Sequence, residues 1–277
     1  MLRDAEHWCH AIGMSRAPDH NTLCRAARVL LDKWKTDKLL DVVARLAATA
    51  RMLKLSTKPL AGDSSYYEDR HVSRYFEFRR GRGGGRNGRR RKVKLTPKLA
   101  IGVASACHLI LSAWAGTGGG GDHPQFEPLL FDAWRRVPNK LFKAVLDAGY
   151  DSERNHELAR NDMGIASIIP PLIGRPSAKR PAGRWRRHMA RLLRTKRSRR
   201  RCGYTQRWQA ETVNSMMKRN LGSALRGKTA ASRRRDLRLK VLVHDIMILR
   251  RQRRVETGQV CPVSISAAYS ARSRVST

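Results

Sequence analysis

The chain has 277 residues, enough to bury a full core in one large domain with a smaller one beside it. Its 58 Lys and Arg against 22 Asp and Glu give a formal charge of +36, which argues against an enzyme of small metabolites and for a polyphosphate partner, above all nucleic acid. Five scattered cysteines with no C-x-x-C pair speak for a reducing compartment and against a disulfide framework, and neither an apolar leader nor a run of 18 apolar residues marks a signal peptide or membrane span.

In chain order, residues 1–57 read as a small helical region. Leu23, Ala26, Ala27, Leu30 and Leu31 recur at helical spacing behind a cap at Asn21, and Leu39, Leu40, Val43, Leu46 and Ala47 repeat the pattern. Such helices suit a DNA-binding element or, more plainly, a brace for the next domain. His7, Cys9, His10, His20 and Cys24 cluster there without a zinc-ligand spacing and are read as packing residues. From residue 58 the texture changes. LAGDSS (Leu60 to Ser65) is a short strand ending in an acid, and KLAIGVAS and HLILSAWAG (Lys98 to Gly116) form a hairpin. The glycines at 118–121 lack a following P-loop lysine and make a strand-to-helix connection. KAVLDAGYD (Lys143 to Asp151) is a strand stopping at an acid, Ser152 caps a helix that Gly164 ends, and GIASIIP is the next strand. A helix follows from about Tyr204 to Arg219. The order is α/β with a mixed sheet over residues 58–250, and residues 251–277 read as a disordered tail.

Two stretches interrupt this pattern. Residues 79–94 carry nine basic residues and no acid, and residues 174–201 carry thirteen and no acid. Gly and Pro punctuate both, so both are expected to be loops or arms that grip a DNA backbone, through Arg79, Arg80, Arg186 and Arg187 among others.

Against this background one acid stands out. Between Asp162 and Asp236 the chain has a single carboxylate, Glu211. On a helix, Tyr204, Arg207, Glu211, Asn214 and Lys218 share a narrow polar stripe, while Val213, Met216 and Met217 face a core. An ordinary i,i+4 salt bridge between Arg207 and Glu211 does not account for so isolated an acid. Asp63 and Asp147 each end a strand-like run, where open α/β sheets build ligand sites. Together with Glu211 they make a hard-oxygen set suited to Mg²⁺ or Mn²⁺, ions that activate a water or a 3′-OH against a phosphodiester. Asp69 and Asp151 compete with Asp63 and Asp147 for these roles, and Asp122 in the glycine-rich connection reads as structural.

Tyr204, Arg207, Glu211 and Lys218 match the Y-x2-R-x3-E-x6-K signature of the insertion-sequence DDE transposases, and the surrounding text YTQRWQAETVNSMMKRNLGSALRG is similar throughout. LDAGYDSERNHEL resembles that family's second-aspartate motif, GDSSYYEDRHVSRYF its first, and PDHNTLCRAARVL also resembles the family. The resemblance implies an RNase H-like catalytic domain that cleaves the ends of a mobile element and joins the 3′-OH to target DNA. Asp63, Asp147 and Glu211 would hold Mg²⁺, with Mn²⁺ able to substitute, and Tyr204, Arg207 and Lys218 would position DNA. It further implies double-stranded DNA and a second copy of the chain as partners, no small-molecule substrate, and a bacterial-type cytoplasm with association to the nucleoid. Members carry more residues upstream, so an N-terminally truncated copy is expected. A basic DNA-binding remnant without catalysis and an RNase H-like nuclease are the alternatives.

Overall fold

The computed structural model describes residues 13, 15–16, 18–69, 96–118, 121–172 and 181–256. Helix α1 (His20–Leu30) is capped by Asp19, whose carboxylate accepts the Thr22 N–H at 2.8 Å, so the cap is Asp19 and not Asn21. Asp32 caps α2 (Lys33–Thr49) in the same way through the Lys35 N–H. Helix α2 buries Leu40, Val43, Ala44 and Ala47. Its Asp37 and Asp41 reach the buried guanidinium of Arg136 at 3.0 and 2.8 Å, and Arg136 also donates to the Leu111 carbonyl. The N-terminal helices thus brace the sheet domain, as the plainer sequence reading has it.

The strands are β1 (Leu60–Tyr66), β2 (Glu68–Asp69), β3 (Pro97–Ala104), β4 (Leu109–Thr117), β5 (Lys143–Leu146), β6 (Ala166–Ile168) and β7 (Ala224–Leu225). Five of them form one mixed sheet in the order β4-β3-β1-β5-β6. The first three are antiparallel and β1, β5 and β6 run parallel. Every residue of β3 is buried, consistent with its continuous apolar text. The expected β3–β4 hairpin is present, with His108 at φ 63° in its turn. Short β2 pairs separately with β7.

Helix α3 (Phe126–Arg136) covers one face of the sheet, and α4 (Glu153–Glu157) runs on as a wide π turn to Asp162, ended by Gly164 at φ +65°. Residues 184–201 are not the loop expected from their composition. They form α5 (Arg184–Leu192) and α6 (Lys196–Arg201). The reason is local: Met189 and Leu193 are buried, and the Glu153 carboxylate accepts the Trp185 and Arg186 N–H groups that open α5. A 3-10 turn (Tyr204–Arg207) leads into α7 (Trp208–Leu221), which packs on β1 and β3. The last described element is α8 (Ala230–Glu256), which packs on β4 and α2 and runs past residue 250, into the stretch expected to be a tail. Among the described residues no helix is long and apolar enough to cross a membrane. A five-stranded mixed sheet with helices on both faces, in this strand order, is an RNase H-like architecture.

Candidate active site

The site forms where the parallel pairing of β1 and β5 ends. The last paired residues are Gly62 and Leu146, so Asp63 and Asp147 follow on neighbouring strands. A Cβ at position 62 would stand 2.5 Å from Leu146 Cδ2, so a larger residue there would make the Leu146 side chain shift. Asp63 is not at the end of its strand, as the sequence suggested, because β1 continues to Tyr66 in antiparallel pairing with β3. Asp147 does follow the end of β5.

Glu211 enters from α7. Its carboxylate accepts Arg207 Nη1 at 2.6 Å, and the same nitrogen lies 4.0 Å from Asp147 Oδ1. Asp63 accepts Asn214 Nδ2 at 2.9 Å across 151 residues of chain. Burial raises the Asp63 carboxyl above the ordinary carboxylate range, and the charge of Glu211 pushes the same way. Hydrogen bonds from Asn214 and the Ser64 N–H, and the Arg207 guanidinium, oppose it. Glu211 and Asp147 thus share one guanidinium, while Asp63 is held by Asn214 and feels Arg207 only at a distance.

Among the described residues, no three His, Cys, Asp or Glu side chains converge closely enough to hold one ion. The carboxylates are spread around Arg207 instead. The donors nonetheless fit a divalent cation in kind: all are hard carboxylate oxygens, and Asp63 is partly buried.

The remaining site residues expected from sequence fall in distinct places. Tyr204, half-buried, lies beside Arg207 and within electrostatic reach of Asp147 and Arg199. Lys218, nearly two turns beyond Glu211, places Nζ 5.3 Å from the centre of the Tyr67 ring. Arg187 is exposed on α5, whereas Arg186 is tied to the buried Asp151 by contacts of 2.8 and 2.7 Å and anchors the helix. Arg79 and Arg80 lie outside the described residues. The rival acids have structural partners. Asp69 pairs with Arg233, Asp122 pairs with Lys98, and Asp151 accepts the Leu172 N–H besides Arg186. Sequence reasoning passed over the role of Asn214, although it lies on the same helical stripe as Glu211, one turn further on.

The family model described as transposase DDE domain matches residues 62–246, well over half of the chain, and the matched span includes all three acids of the site. Comparison with curated proteins and with solved structures gives no match. On the family match, this chain belongs to the DDE-domain transposases.

Proposed function

We propose that this protein cuts phosphodiester bonds at the ends of a mobile element and transfers the freed 3′-OH into target DNA. One observation supports this best. In a chain of formal charge +36, Asp147 and Glu211 share Arg207, and α7, which carries Glu211, also holds Asp63 of β1 through Asn214. Acids placed in a cationic DNA groove repel the substrate unless a cation offsets them. Asp63, Asp147 and Glu211 would hold Mg²⁺, or Mn²⁺ in its place. A divalent cation held there would supply activation of the attacking water or 3′-OH and charge stabilisation for the leaving oxygen.

The chain's own residues do the positioning. Arg207 is the cation already at the site, and its planar guanidinium suits a phosphate as well as it suits Glu211. Lys218 offers a point charge further along the same helix. Helices α5 and α6 add a basic ridge, and α6 packs against the Tyr204–Arg207 turn. Two copies acting on two element ends would complete the assembly.

The test is a strand-cleavage and joining assay on a labelled duplex carrying the DNA that flanks this gene. Wild type with Mg²⁺ or Mn²⁺ should nick at a defined end and give joined products. Glu211→Gln should reduce both to background while holding or raising DNA affinity, since a negative charge leaves the groove. Cleavage without joining would identify a nuclease. Binding without cleavage by the wild type would identify a DNA-binding remnant and overturn the proposal.

A further inference from the structure

Alternation along β1 and β3 places Asp63 on the face covered by α7. Ser64 and Lys98 point to the opposite face, which α3 covers. Lys98 is 1% exposed on that face and is paired with Asp122, from the connection that follows β4. Asp122 abuts the turn after Asp147: a Cβ on Gly149 would lie 2.8 Å from Asp122 Oδ2. Two positions past Asp147's neighbour, Tyr150 is fully buried, its hydroxyl beside Ser64 and within electrostatic reach of Asp122, Asp63 and Asp147. Asn155 fastens the two loops together by donating to the His123 carbonyl at 3.0 Å and the Tyr150 carbonyl at 2.9 Å.

A buried ammonium is costly unless it is paired, and an apolar residue in its place often serves stability as well. Here the pair grips the one turn that carries a site carboxylate. We propose that Lys98, Asp122 and Tyr150 form a positioning unit behind the sheet that fixes the Asp147 turn relative to Asp63, and so sets how well the acids take up a divalent cation. This inference rests on the site reading above. The unit touches neither substrate nor metal. It acts by denying the Asp147 turn any other position: Asp122 bears on Gly149, and Tyr150 fills the space that a shifted turn would need. Outer partners of this kind are worth about 10–100-fold in metal affinity.

The experiment measures Mn²⁺ binding to the full chain by the electron paramagnetic resonance of free Mn²⁺. Tm and DNA affinity are recorded alongside. The variants are Tyr150→Leu, Asp122→Asn, the double Lys98→Met with Asp122→Asn, and Asp63→Asn. Tyr150→Leu, which empties the space the ring fills, and Asp122→Asn should each raise half-saturating Mn²⁺ by about tenfold with DNA affinity unchanged. The double variant has no lone buried ammonium, so its Tm should recover relative to Asp122→Asn while its Mn²⁺ midpoint stays shifted. If the midpoint recovers together with Tm, or if neither single variant shifts it, the unit supports the fold only and the inference is overturned. Asp63→Asn separates the two levels. If it binds Mn²⁺ as the wild type does, the site reading itself fails. If it abolishes binding while the other variants are silent, only the positioning unit fails.

Discussion

Asp63 illustrates what the site costs at the level of one residue. Its carboxyl is held above the usual range by burial first and Glu211 second, so the folded protein binds a proton there more readily than the unfolded chain does. A raised carboxyl lends stability that is full below the unfolded value, near pH 4, and is lost as pH rises through the folded value. At pH 7 the ionised group is therefore a burden in the absence of metal. Asp63→Asn keeps an acceptor for Asn214 Nδ2 and removes the charge. It should raise Tm at pH 7 by a few degrees, at about 2–4 °C per kcal/mol of relief, and the gain should fade towards pH 4 in a calorimetric series. A fall in Tm at pH 7 would show that the carboxylate is stabilising as it stands. The three acids stood out in the sequence because carboxylates are rare in so basic a chain. Their geometry did not: no spacing rule shows that Asn214 reaches back to Asp63.

At the scale of elements, strands read better than helices. The apolar runs of β1, β3, β4 and β5 are short, bounded and buried, and each was visible as text. Helix α8 was not, because its buried face mixes Leu237, Val241 and Ile248 with Lys240, His244 and Asp245. That face shows no apolar stripe. The polar members have tertiary partners: Lys240 donates to the Leu221 and Gly222 carbonyls, and one Asp245 oxygen accepts the Ile110 N–H at 2.9 Å while the other is buried without a partner among the described residues. Helix α3 was obscured by Pro128, which is tolerated because the first turn needs no intrahelical N–H bond. Helix α5 was masked by composition, since arginines in number look like a solvated arm. Its N-terminus depends on Glu153, whose burden of three backbone donors holds its carboxyl below the usual range despite burial. Glu153→Ala should release α5. Limited proteolysis should then cut within residues 181–201 at least several-fold faster, with the sheet domain left intact. An unchanged cutting rate would assign the order of α5 to Met189 and Leu193 alone.

For the whole molecule the dominant quantity is charge. Each phosphate neutralised releases counterions and adds about 0.9 to the slope of log affinity against log salt. If the α5–α6 ridge lies on DNA, replacing the exposed Arg187, Arg197 and Arg200 with Gln should lower that slope by about 2–3, uniformly across duplex sequences, in fluorescence anisotropy titrations. An unchanged slope would turn the ridge away from the substrate.

The contact between Asn214 and Asp63 also has a meaning in time. Synthesis runs from the N-terminus, so both aspartates leave the ribosome long before the helix that brings Glu211 to them. A nascent or prematurely ended chain can pair β1 with β3 and β5 and hold two of the acids, yet it lacks the third. Order of manufacture thus works as a safety catch: the proposed acid set stays incomplete until the chain has been made through residue 211.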